Sequence, residues 1–222
     1  GIKSKSSMIK LLKIKKIKNQ FKLFIDANGL PISFYSHNDN KSHLYNILAT
    51  LASVNFFKDI NKLSKDIFLN FKTPIGRGDI SKIRLKNKSF FLIDETYNSN
   101  PLSLKTAIEN YDNIKLKNSK KYLILGDMLE LGKHSIKQHK LISKILNKTK
   151  INQVYVIGKY VKKTFTRLKQ NKKAKILNNK TAIFDLINKD LNNNDYLMIK
   201  GSNSTGLHKI ITNLKQRISH AV

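Results

Sequence analysis

At 222 residues, with 40% hydrophobic and 26% charged side chains, the chain has the length for one large or two small domains and the composition of an ordinary globular protein. It contains no cysteine, which excludes a disulfide framework, a thiolate metal site and a cysteine nucleophile. A net charge of +29 invites a nucleic-acid reading, yet only four of the 43 basic residues are arginine (Arg77, Arg84, Arg167, Arg217), and no basic region leads into heptads. The lysines, scattered along every segment, read as solvated faces whose field attracts anionic substrates, and no specific nucleic-acid partner is expected.

The opening GIKSKSSMIKLLKIKKIKNQ has no clean apolar stretch and no small-residue cleavage site, so it does not read as a signal peptide. No apolar run reaches the roughly 18 residues of a spanning helix. A membrane span is therefore not expected, and a cytoplasmic location is. Residue 1 is Gly, which reads as a chain trimmed from something longer. Residues 21–36, FKLFIDANGLPISFYS, alternate as a hairpin with its turn at Asn28-Gly29. The spacing of Leu44, Ile47, Leu48, Leu51 and Val54 predicts a helix from His43 to Phe57, and a second helix is expected over 60–70. Some 70 residues make a marginal core, so this region reads as the tail of a domain whose beginning is missing. KTPIGRGD, with Pro74, Gly76 and Gly78 around Arg77, has linker composition.

From about residue 85 a regular alternation begins. Apolar strands are predicted at FFLID, YLILG, VYVIG, AKIL and YLMIKG. Between and after them come a helix opening at Pro101, one over about 135–148, one striped by Val161, Phe165 and Leu168, one at TAIFDLINKD, and one over about 205–217. The fold class is α/β: a C-terminal Rossmann-like domain with a mainly parallel sheet and helices on both faces.

Two polar clusters fall where such a sheet presents its carboxyl edge, the usual place for ligands. In LIDETYNSNP, Asp94 suits a ribose diol, while Tyr97, Asn98 and Asn100 offer a stacking ring and amides. Against this, Asn100 before Pro101 is a helix cap with Pro in the first turn, and Asp94 has an alternative role in tying the turn. The second cluster follows YLILG, at Asp127 and Glu130.

Three segments, IDETYNSNPLSLKTAI, LILGDMLELGKHSIKQHK and YLMIKGSNSTGLHKII, resemble in order and spacing the C-terminal half of the MurF branch of the Mur ligases, the UDP-N-acetylmuramoyl-tripeptide:D-alanyl-D-alanine ligases. GDMLELG points to this branch more than to its sisters. IGRGD is similar to the family's PxGRG linker, and NILATLASV to its NALAAxA helix. The resemblance implies a remnant of the central α/β ATPase domain over 1–75 and the Mur ligase C-terminal domain over 76–222. It further implies ATP-dependent ligation through an acyl phosphate, with ATP and Mg²⁺ as cofactors and UDP-N-acetylmuramoyl-tripeptide and D-alanyl-D-alanine as partners, in a monomer serving peptidoglycan synthesis. It assigns Arg77 to the γ-phosphate, Asp94 to the ATP ribose, and Asn46, Tyr97 and Asn98 to the nucleotide. Asp127, Glu130, His139, Lys200 and Ser202 would face the peptide substrates. Bland readings stand beside these: His139 as a surface or capping residue among lysines, and Glu130 as a carboxylate opening a helix.

The departures are specific. The family's GxHNxxN run becomes Asn40-Lys41-Ser42-His43-Leu44-Tyr45-Asn46, without its glycine and with the histidine one place late. Its KGSR arginine is Asn203, and no G-x-x-x-x-G-K-[ST] loop occurs. The phosphate loop and metal ligands are expected in sequence preceding residue 1, so the chain alone is expected to be inactive. A non-catalytic nucleotide- or peptide-binding remnant is the alternative.

Overall fold

Asn28 and Gly29 both hold positive φ, 52° and 85°, as a two-residue turn matched to strand twist requires, and they close the hairpin between β2 (Gln20–Ala27) and β3 (Leu30–Ser36). The computed structural model describes residues 1–2, 6–70, 75–85 and 87–219, and the chain divides into two units, 1–72 and 73–222. The first three linker residues, Lys72 to Pro74, lie outside the described residues.

In the first unit a third strand, β1 (Ile9–Ile17), pairs antiparallel with β2 and was not expected. Its register shifts between Leu11 and Lys13, which breaks the alternation, and its many lysines are those of a protected edge. Helix α1 (Lys41–Val54) starts where Asn40 Oδ1 accepts the His43 N–H at 2.8 Å. Leu44, Ile47, Leu48 and Leu51 pack in one core with Leu23, Ile25 and Phe34. The helix stops at Val54, short of the expected Phe57, leaving Phe56 and Phe57 73% and 91% exposed. No second helix fills 60–70: only Ile60–Lys62 makes a 3₁₀ turn. Leu63 is extended, and the Tyr35 N–H of β3 donates to the Lys65 carbonyl at 2.8 Å, a bond that a helical 60–70 would forbid.

The second unit is a six-stranded sheet in the order β4-β5-β9-β6-β7-β8. The strands are β4 (Asp79–Leu85), β5 (Lys88–Glu95), β6 (Lys121–Gly126), β7 (Gln153–Ile157), β8 (Lys173–Ile176) and β9 (Tyr196–Lys200). All neighbours are parallel except β4, which runs antiparallel to β5 at the edge. The five parallel strands are those the sequence predicts. β4 was missed because DISKIRL buries only Ile83 and leaves Ile80 exposed.

Successive strand residues feed opposite cores, as in a sheet covered on both faces. Leu92, Tyr122, Ile124 and Leu197 pack with α5 (Ala182–Asp190) and α6 (Leu207–Ser219). Ile93, Leu123, Leu125 and Met198 pack with α2 (Pro101–Asn113) and α3 (Ser135–Leu146). The expected helix after β7 is only the four-residue α4 (Lys162–Phe165). Val161 and Leu168 do enter the core, but Asn147 binds the Arg167 carbonyl and the Lys169 N–H at 3.0 and 2.9 Å, turning the chain there. No helix among the described residues is long and apolar enough to cross a membrane.

Helices α2 and α3 leave β5 and β6 toward one face, and α6 leaves β9 toward the other. Because helices on opposite faces follow the adjacent strands β5 and β9, and β9 lies between β5 and β6, the carboxyl ends of these strands form the switch point at which such sheets bind ligands.

Candidate functional site

Three loops meet at that switch point, following β5, β6 and β9. Ser202, after β9, stitches them: its hydroxyl donates to the Ser99 carbonyl at 3.2 Å and accepts the Leu129 N–H at 2.9 Å, while its own N–H donates to the Asp127 carbonyl at 3.0 Å. Lys200 ends β9, is 2% exposed, and donates to the Asn98 carbonyl at 2.9 Å and to Glu95 Oε2 at 3.3 Å. Parallel register sets that ion pair, since Glu95 is the partner of Lys200 across β5 and β9. Burial lowers the Lys200 pKa, opposed by Glu95. Burial likewise raises that of Glu95, with Asp94 and Asp79 pushing the same way and Lys200 opposing.

Asp94 is 1% exposed. Its Oδ1 accepts both the N–H and the hydroxyl of Thr96, at 3.1 and 2.7 Å, so it does tie the turn. Beside it, the Gly76-Arg77-Gly78 turn is fastened to the end of β5. Gly78 N–H donates to the Asp94 carbonyl at 2.7 Å, and Tyr97 N–H donates to the Gly76 carbonyl at 3.1 Å. Gly76 has φ +79°, and a Cβ there would meet the Tyr97 nitrogen at 2.9 Å, so glycine is required. The exposed Arg77 guanidinium lies over the Tyr97 ring, 4.3 Å from its centroid, and Tyr97 is itself 48% exposed. Asn98 is exposed. Asn100 caps α2 in a capping box with Ser103, as its cap reading holds.

Asp127 is 7% exposed and accepts two backbone N–H groups of the loop after β7, from Lys159 at 2.9 Å and Val161 at 2.7 Å. His139 is 1% exposed, which overturns the surface reading: as one of the helix residues facing inward, it accepts the Met128 N–H. Glu130 is exposed with φ +64°, in a left-handed turn ahead of Gly132, and α3 has no acidic residue in its first turn, so it does not open that helix. In the other unit, Asn46 is an exposed residue of α1, and His43 is buried with Nε2 3.1 Å from the Ser36 hydroxyl.

The structure thus gathers Arg77, Asp94, Tyr97, Asn98, Asp127, Lys200 and Ser202 at one sheet edge. Sequence reasoning missed Glu95, Thr96, Asp79 and Lys215. Glu95 and Thr96 lay inside the quoted motif, and Asp79 inside the stretch read as linker. Lys215, on α6, carried no sequence signal among so many lysines. It lies 2.5 Å from Asp79 Oδ2 and 3.8 Å from Asp94 Oδ2.

Residues 82–203 match the family described as Mur ligase, glutamate ligase domain. The UDP-N-acetylmuramoyl-tripeptide--D-alanyl-D-alanine ligase of Buchnera aphidicola subsp. Baizongia pistaciae is 33% identical over 172 residues, which are 77% of this chain and 36% of that protein. Among solved structures, MurF ligase from Thermotoga maritima in complex with ADP superposes with a TM-score of 0.72 at 19% identity, covering 98% of this chain and 48% of that one. MurF from Acinetobacter baumannii gives 0.74 at 17% identity, covering 96% and 46%. The structural likenesses carry the fold. The chain spans about a third of the length of the first curated relative and about half of these solved chains.

Proposed function

This chain belongs to the Mur ligase family, and from that premise we propose that it forms the C-terminal part of a MurF-type enzyme joining D-alanyl-D-alanine to UDP-N-acetylmuramoyl-tripeptide at the expense of ATP, as a cytoplasmic monomer in peptidoglycan synthesis. In this reading residues 1–75 belong to the ATP-binding domain and 76–222 to the C-terminal domain. The observation that carries it is the Arg77 turn, held by Tyr97 and Asp94 so that an exposed guanidinium stands at the carboxyl end of β5.

An exposed cation, an aromatic face and the Asn98 amide form a donor set that fits the phosphates and base of a nucleotide. Magnesium does not fit in the same way: no group of three or more His, Asp or Glu among the described residues is arranged to hold a metal ion. ATP supplies the phosphoryl group that activates the tripeptide carboxylate for attack by the D-alanyl-D-alanine amine. Arg77 pairs its planar fork with the transferring phosphoryl oxygens, where charge develops. Asp94 offers Oδ2 to the ribose, since Oδ1 is engaged by Thr96. Asn46 serves the nucleotide from α1. Lys200 and Ser202 serve the peptide side by holding the loops after β5, β6 and β9 in register, and Asp127 and His139 hold the flanking loops. Glu130, exposed, is the carboxylate of this group open to a substrate amine.

The test uses the complete enzyme, this chain together with its phosphate-loop half, supplied with ATP, UDP-N-acetylmuramoyl-tripeptide and D-alanyl-D-alanine. A pentapeptide product seen by mass spectrometry, with one phosphate released per product, is expected. Addition of a single amino acid in place of the dipeptide, or ATP turnover by the 222-residue chain alone, would overturn the reading.

A further inference from the structure

Asp79 and Asp94 face each other as cross-strand partners of the antiparallel pair β4 and β5, an arrangement that repels when both are ionised. The ammonium group between them is Lys215 of α6, 2.5 Å from Asp79 Oδ2 and 3.8 Å from Asp94 Oδ2. The other oxygen of Asp79 accepts the Gly76 N–H at 3.2 Å. Gly76 in turn binds Tyr97, whose ring lies under the Arg77 guanidinium. The series joins a helix near the end of the chain, an edge strand, a glycine turn and an exposed arginine, and its long-range link is the Lys215 ammonium.

We propose that Lys215 is a positioning residue for Arg77, acting through Asp79 and Gly76. This rests on the reading of Arg77 given above and adds a residue to it. Lys215 neutralises the facing carboxylates, Asp79 thereby stays turned toward the Gly76 N–H, and the turn presents the arginine in one place. Without the ammonium, Asp79 swings away from Asp94 into solvent, Gly76 loses its acceptor, and the guanidinium samples positions off the phosphoryl path. Misplacements of about 1 Å in such groups cost on the order of 100-fold in rate.

Two measurements test it separately from the Arg77 reading. In the 222-residue chain, amide hydrogen exchange at Gly76 is expected to quicken in Lys215→Met and to return toward the original rate in Lys215→Arg, with exchange at Leu123 in the sheet centre unchanged. Unaltered exchange at Gly76, or acceleration throughout the sheet, would overturn the relay. In the complete enzyme, Lys215→Met is expected to lower kcat about 10-fold or more, with Lys215→Arg restoring most of it. The same substitution on an Arg77→Lys background is expected to add little, because both act on one group. Full multiplication of the two effects would overturn the relay while leaving Arg77 in its role. An Arg77→Lys enzyme with normal turnover would instead remove Arg77 itself, and the exchange result would still decide whether Lys215 orders the turn.

Discussion

His139 Nε2 accepts the Met128 N–H at 3.0 Å, while Nδ1 lies 2.7 Å from the Ser135 carbonyl and so carries the proton. The ring is therefore neutral and fastens the loop after β6 to α3. Burial lowers its pKa from the ordinary 6.5, outweighing the Ser135 carbonyl and Asp127, which raise it. The folded protein thus binds the proton less readily than the unfolded chain. The contribution of His139 to stability should be constant above about pH 6.5 and fall as pH drops from there through the folded-state pKa. His43, buried and lowered by desolvation, contributes in the same sense. His139→Gln is expected to flatten part of this slope in thermal unfolding at about pH 7.5 and about pH 5.5. An identical slope in the variant would show that other groups set it.

Asp127 was read from the sequence as a substrate contact, and its carboxylate is spent on the Lys159 and Val161 N–H groups. Asp127→Ala should cost about 1–3 kcal/mol for each donor left unpaired away from water. Gly158 supports the same loop from the other side: at φ +141°, a Cβ would lie 2.6 Å from the Asp127 carboxylate, so Gly158→Ala should also destabilise. Thermal unfolding of both variants checks this. An Asp127→Ala protein with unchanged melting but lost saturation by D-alanyl-D-alanine would make the side chain a substrate ligand instead.

Lysines do a second task at the opposite, amino edge of the sheet. Lys172 donates to the Thr149 and Ile151 carbonyls at 2.7 and 2.8 Å, Lys121 to the Asp112 carbonyl at 2.6 Å, and Lys88 to the Asn188 and Leu191 carbonyls at 2.6 and 2.8 Å. Each supplies a donor and positive charge to carbonyls at or just beyond the end of a helix. Lys172 is 7% exposed, and burial lowers its pKa, so removing it also removes a desolvation cost. Lys172→Met should still lose about 1.5–3 kcal/mol for bonds made by a charged donor. Thermal unfolding unchanged from that of the original chain would show that water replaces the ammonium there.

Four of the five parallel strands, β5, β6, β7 and β9, were legible because each is a short apolar run covered on both faces, so burial leaves a continuous signature, whereas the edge strand β8, KAKI, buries no residue fully and was legible only through its place in the alternation. β1 and β4 were not, since a bulge interrupts one and the other shows the core a single Ile83. The 60–70 segment misled because Ile60, Leu63 and Phe68 suit a helix locally, while a long-range bond from Tyr35 decides the backbone. At the site, Asp94 and Asp127 were legible as polar residues ending strands, and Ser202 only through the family resemblance. Their partners were not, because the pairing of Glu95 with Lys200 and of Asp79 with Asp94 depends on strand order, and β9 inserts between β5 and β6 from 100 residues away. His139 reads as a surface residue beside Lys137 and Lys140, and only the packing of α3 turns it inward.

The two roles open to Asp94 separate through its two oxygens. Oδ1 is committed to Thr96, and Oδ2 has Lys215 at 3.8 Å. Asp94→Asn retains an Oδ1 acceptor for Thr96 but weakens the group offered to a ribose diol, since an amide is a poorer acceptor than a carboxylate. In the complete enzyme it is expected to raise the KM for ATP severalfold with little change in melting. Thr96→Val is the complementary change: it removes the hydroxyl donor without touching Asp94, and should cost about 0.5–1.5 kcal/mol of stability while leaving the KM for ATP in place. Asp94→Ala loses both functions, leaving the buried Thr96 N–H without its acceptor at about 1–3 kcal/mol and impairing ATP binding. Normal ATP kinetics in Asp94→Asn, with Asp94→Ala merely less stable, would reduce Asp94 to the residue that ties the turn and remove it from the nucleotide site.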